Sequence, residues 1–179
     1  MTQGTLTEHV IRRLHLPLGR PYEDAVADFE RVVPPIEPQR FQYLPSWDDN
    51  RALFDSVAPL GLMRFGAIDV LAYMRTSGTD RPGIEYLAGN HTIAERMYRH
   101  TPDAMLYAPL RLFIYADDSG QGVLIIDQPS SLFGSLSDNA EVAAVGRELD
   151  HKVAAVLSAM GVDVPPALTQ GQATTTQLA

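Results

Sequence analysis

Apolar and polar positions change period several times along this chain, and each change marks an element. Val10–Leu18 alternates loosely and runs into Pro17 and Gly19, which predicts a first strand. Pro21 then opens a helix with Glu23 and Asp24 in its first turn. Ala25, Val26, Phe29, Val32 and Val33 recur at helical spacing until Pro34-Pro35 stops the run. Ser46 followed by Asp49 reads as the start of a second, short helix, on which Leu53, Phe54 and Val57 form one apolar face. Leu62–Met74 alternates and predicts a strand, Ser77–Pro82 a turn, and Ile84–Leu87 a short strand.

The second half of the chain is sharper. Gly89-Asn90-His91-Thr92 leads into a helix carrying Ile93, Ala94, Met97 and Tyr98; either Asn90 caps it, or Thr92 does with Glu95 closing a capping box. Leu110–Ala116 and Val123–Asp127 are apolar strands joined through Asp117-Asp118-Ser119-Gly120-Gln121-Gly122 as a hairpin. Ser130–Ser137 reads as a loop. Asn139–Met160 is the longest helix, with Val142, Val145, Leu149, Val153, Val156 and Leu157 on one face. Antiparallel strands with helices gathered on one side give an α+β fold rather than a doubly wound sheet. The pattern divides the chain into a single domain over 1–162, a proline-rich helical and loop insertion over 34–60, and a flexible tail over 163–179, where little could pack.

The strand ending at Gly89-Asn90, the helix with Ala94 and Met97, and the Pro102…Pro109-Leu110-Arg111 stretch together resemble the domain of unknown function 302 family. The likeness continues through the hairpin to Pro129 and into the terminal helix. It covers Ile84–Gly161 well and Ile11–Val33 loosely. The resemblance implies a fold like that of the TATA-binding protein: a curved antiparallel sheet of about five strands with a long C-terminal helix packed across it. It also implies a homodimer, and no common activity. Two departures stand out. The family usually has proline after the asparagine, where this chain has His91, and Pro34–Pro59 is an insertion.

Charge and composition narrow the function. A net charge of −8 argues against nucleic acid and against anionic membrane surfaces. No apolar run approaches the ~18 residues of a membrane span, and the cytoplasm is the expected location. With no cysteine, thiol catalysis and zinc–thiolate sites are excluded. Lys152 is the only lysine, so Schiff-base chemistry has one unpromising candidate. There is no G-x-S-x-G, no P-loop and no dinucleotide fingerprint. His9, His15, His91, His100 and His151 form no HExxH or i, i+4 pair, so no metal site is expected; a haem would need only His91 or His100, without positive support.

The candidate chemistry centres on His91. A histidine in the first turn after an Asn90 cap stays neutral near pH 7, the state suited to a general base; the bland alternative is a surface histidine beside an ordinary cap. Tyr43, Trp47 and Phe65 sit in or near the insertion and would line a pocket at one end of the sheet, or merely anchor a long loop. Tyr86, Arg111 and Tyr115 lie on strands and meet a ligand only if they face the concave side; Arg111 is expected to pair with Asp127 across the hairpin. The function expected is binding of a small, largely apolar molecule between sheet and C-terminal helix, with Asn90, His91 or Arg111 orienting one polar group. The alternatives are an isomerase, cyclase or lyase using His91 as acid–base in the same cavity, and a non-catalytic dimeric interaction module.

Overall fold

The computed structural model describes residue 4 and residues 6–170. In chain order the elements are β1 (Arg13–Pro21), α1 (Tyr22–Val32), α2 (Trp47–Val57), β2 (Met63–Asp69), α3 (Val70–Met74), β3 (Gly83–Gly89), α4 (His91–Tyr98), β4 (Leu110–Ala116), β5 (Gln121–Asp127), α5 (Pro129–Phe133) and α6 (Ala140–Ala159). The five strands form one sheet in the order β1-β5-β4-β3-β2, with every neighbouring pair antiparallel. The α+β expectation and the long C-terminal helix packed on the sheet are both met.

One sheet face is closed and the other open. On β4, Leu110, Leu112 and Ile114 are buried while Arg111, Phe113 and Tyr115 alternate toward the other side. Leu16, Leu18, Tyr86, Ala88, Leu124 and Ile126 join the buried face. Against it pack Ala25, Phe29 and Val32 of α1 and the stripe Val142, Val145, Leu149, Val153, Val156 and Leu157 of α6. Burying a side chain such as Phe29 contributes about 2–3 kcal/mol, so this layer supplies most of the driving force.

Four expectations need correction. The strand read over Leu62–Met74 stops at Asp69, whose carboxylate accepts a hydrogen bond from the Ala72 backbone and so starts α3. The loop read over Ser130–Ser137 begins as the short helix α5, with Pro129 at its first turn. That helix lies so close to α6 that a Cβ at Gly146 would stand 3.1 Å from Ser130 Cα. Asp127 is taken by Arg13 on β1, directly opposite, in a two-pronged pair of 2.7 and 3.0 Å; Arg111 pairs instead with Glu85 at 3.1 Å. Finally, the composition of the tail suggests nothing that packs, yet Leu168 is wholly buried and the Ala167 carbonyl accepts a 2.7 Å hydrogen bond from Gln128 Nε2. Residues 171–179 of that tail lie outside the described residues.

The 34–60 segment is tied to the body. Pro34–Ile36 runs beside β2, Arg64 donating to the Pro34 carbonyl and Ile36 to the Arg64 carbonyl, both at 2.8 Å. Ser46 caps α2 by accepting from the Asp49 backbone. Phe54, Ala58 and Met63 then form a satellite cluster of their own, with Ile36, Phe41 and Val57 packed around it. Among the described residues no helix is long and apolar enough to cross a membrane.

Candidate functional site

The site sits where β3 ends, β4 begins and α4 starts. Asn90 caps α4: its Oδ1 accepts from the backbones of Thr92 (2.9 Å) and Ile93 (3.2 Å) and from the Thr92 hydroxyl (2.7 Å). Its Nδ2 donates to the Gly61 carbonyl at 3.2 Å. Of the two possible caps, Asn90 is thus the one used, and Thr92 supports it. The cap fixes His91 as the first residue of the helix.

Beside His91 lies a cavity of about 210 Å³. Ala94 and Met97 of α4 form one wall, Met105, Tyr107 and Pro109 a second, and Phe133 of α5 with Leu149 of α6 the floor. Phe65 closes the side toward the insertion. It stands at a β-bulge, where the register of β2 against β3 slips between Arg64 and Gly66, and such bulges re-aim a side chain. Gly89 gives the space for this: a Cβ there would approach Pro109 to 3.2 Å. The bare backbone lets β3, Pro109 and the Phe65 ring meet at the cavity wall.

His91 is half-buried, and four aromatic rings surround it edge-to-face. Phe41 is 5.1 Å away between centroids, Phe54 5.3 Å, and Trp47 and Phe65 each 6.3 Å. Burial among these rings pushes its pKa below the ordinary 6.5, so the ring is neutral near pH 7. The neutral state was expected from the helix start; its cause is desolvation by the insertion. His91 Nε2 lies 2.5 Å from Asn50 Oδ1 on α2. A carbonyl oxygen can only accept, so Nε2 carries the proton and Nδ1 keeps the lone pair.

Each expected site residue can now be placed. His91, Asn90 and Phe65 line the cavity, and Trp47 packs on the His91 ring behind it. Tyr43 does not join them; it is 90% exposed. Tyr86 points into the core on the covered face, its ring tilted against Phe29 with centroids 4.7 Å apart and its hydroxyl donating to Glu30 at 2.9 Å. Burial and the Glu30 carboxylate raise its pKa far above the ordinary value. Arg111 and Tyr115 lie on the open face, Tyr115 stacked on Phe113 at 5.6 Å. Asn50 was missed, because a partner 41 residues away becomes visible only once α2 has docked. Met105, Tyr107 and Phe133 were missed for the same reason.

The remaining histidines are elsewhere: His100 pairs with Glu141 at 2.9 Å, and His9 meets the Tyr107 hydroxyl at 2.9 Å. Among the described residues no group of three metal-ligating side chains converges.

Comparison with known proteins agrees on the frame. None of the curated proteins matches the chain. The crystal structure of an uncharacterized conserved protein DUF302 from Bacillus stearothermophilus superposes with a TM-score of 0.61, covering 83% of this chain and 97% of that one. At 13% identity that likeness establishes the fold alone. The family model described as domain of unknown function DUF302 matches residues 50–160, more than half of the chain, from Asn50 in α2 to the end of α6. The chain therefore belongs to the DUF302 family.

Proposed function

We propose that this protein holds a small, largely apolar molecule in the cavity beside His91, between the end of the sheet and α6. The cavity itself carries this reading: about 210 Å³ walled by methionine, aromatic, alanine and proline side chains, with few polar groups converging. Sites of that composition bind by shape and use a small number of polar contacts for orientation. The test is a native mass spectrum of the protein purified without denaturation. A copurified small molecule, lost in an Ala94→Phe variant that fills the cavity, supports the reading. A mass equal to a whole multiple of 19.7 kDa, together with apolar probes that bind the native protein no better than the Ala94→Phe variant, sinks it.

A second reading has one observation in its favour. A neutral imidazole with its tautomer held by Asn50 is a competent base, so an isomerase, cyclase or lyase acting in the same cavity is consistent with His91. In such an enzyme the protonated His91 itself would return the proton, since the lining offers no carboxylate or amine.

The homodimer is kept as a proposal and assigned to the open sheet face. Across that face His15, Ile125, Phe113, Glu85 and Ile68 form one continuous row of opposed residues. The ion pairs Arg13–Asp127 and Arg111–Glu85 bring both signs of charge to the same surface, which suits a self-complementary contact. A native mass of twice 19.7 kDa that Phe113→Glu halves supports the assignment; a monomer in both proteins rejects it.

A further inference from the structure

Resting on the cavity reading above, we infer that the ligand is a neutral, ring-containing molecule of roughly benzene-to-naphthalene size that donates one hydrogen bond to His91 Nδ1: a phenol or a ring N–H compound. Three observations lead there.

The first is size. An apolar cavity of about 150 Å³ accommodates benzene. The cavity here, about 210 Å³, has room for a substituted or fused ring. The second is the wall. Phe65 and Phe133 present rings, and Met97 and Met105 present thioethers, which adapt to irregular shapes and make favourable contacts with aromatic edges.

The third is the accounting of polar atoms. Three lining residues carry polar side chains: Asn90, His91 and Tyr107. Every polar atom of Asn90 is committed to the cap and to Gly61. The Tyr107 hydroxyl already has a partner, His9, and the pair is exposed. His91 commits Nε2 to Asn50, and its Nδ1 takes no hydrogen bond from any described residue. Among these side chains the nitrogen with no partner is thus an acceptor, and its matching ligand group is a donor. A ligand carboxylate would meet that lone pair with another, in a wall without a cation, and its desolvation would go uncompensated. A pure hydrocarbon would leave Nδ1 unpaired beside it. A site built around a hydrogen bond discriminates strongly against the analogue that lacks the partner.

The experiment is calorimetric titration of the full chain with 4-ethylphenol, ethylbenzene and 4-ethylbenzoate, in the native protein and in His91→Leu. The expected result is at least a tenfold preference for the phenol over the hydrocarbon and no measurable binding of the carboxylate. In His91→Leu the phenol's advantage collapses while ethylbenzene still binds. Because His91 also packs against the insertion, a ¹⁵N spectrum of the native protein's histidines is recorded alongside: the unprotonated Nδ1 resonance of His91 shifts on adding 4-ethylphenol and stays on adding ethylbenzene. Equal binding of phenol and hydrocarbon, both blocked by Ala94→Phe, overturns the donor inference and leaves the cavity reading standing. Preference for the benzoate overturns it likewise. Failure of all three probes to bind overturns both.

Discussion

His91 and Asp150 are both titratable groups taken out of water, and the protein treats them in opposite ways. His91 is wrapped in aromatic rings and given one hydrogen bond, to Asn50. Asp150, on α6, is wrapped in donors: the Ser130 backbone at 2.9 Å and Gln128 Nε2 at 3.0 Å. Burial lowers the histidine's pKa and raises the carboxyl's, in each case favouring the neutral form. Only the histidine borders an open space. The carboxyl's neighbourhood is closed, and through Gln128 it fastens the Ala167 turn to the body. A buried ionisable group is thus a functional candidate only where something else can reach it; Asp150 has the perturbation without the access.

The most severe way to break the contrast is to remove the cage. Phe54 is wholly buried in the satellite cluster and touches the His91 ring. Phe54→Ala is expected to cost about 3–5 kcal/mol in denaturant unfolding. A loss below about 1 kcal/mol would mean that the insertion is not packed as a unit with the body. Next, Asp150→Ala leaves the Ser130 N–H without its acceptor and the Gln128 amide with only the Ala167 carbonyl, and should cost about 2–4 kcal/mol. Asp150→Asn should cost less than the alanine change at pH 7, since its carbonyl oxygen still accepts from the Ser130 N–H and no charge is buried. If the two variants unfold alike, the donors around Asp150 contribute nothing and the comparison fails.

The pH dependence sharpens the contrast, with opposite signs. His91 is held below its ordinary 6.5, so the unfolded chain binds more protons as pH falls. Its contribution is complete above about 6.5 and is lost progressively below that, down to the folded-state value. Asp150 is held above its ordinary 3.8, so its contribution is complete below about 3.8 and is lost as pH rises through the folded-state value. His91→Gln should flatten the first limb alone, and Asp150→Asn the second alone, in urea midpoints measured across pH 3–8. The smallest effect belongs to the open face: Arg111, paired with Glu85 while 74% exposed, should lose no more than about 0.5 kcal/mol on change to alanine.

Much of this architecture was legible along the chain, because it rests on local signals. The caps Ser46 and Asn90, the hairpin turn after Asp117 and the 3.6-residue stripe of α6 each act within a few residues of themselves. What escaped depends on which surfaces meet. Strand alternation marks two faces without saying which one helices will cover, so Tyr86 and Arg111 read alike, though one lies in the core and the other in solvent. Asn50 and Leu168 look like ordinary surface and tail residues until tertiary docking gives one a histidine and the other a socket. Of the site, His91, Asn90, Phe65 and Trp47 were visible; the walls supplied by α5, α6 and the turn before β4 were not.

Gly146 lies outside the cavity, yet it governs the cavity's size. Because it lacks a Cβ, α5 can rest directly on α6, with Ser130 Cα 3.1 Å and Phe133 Cβ 3.4 Å from where that atom would be. Phe133 is also part of the cavity floor. One methyl group at position 146 would lever α5 outward and carry the floor with it, so the volume beside His91 can be changed from a position that does not line it.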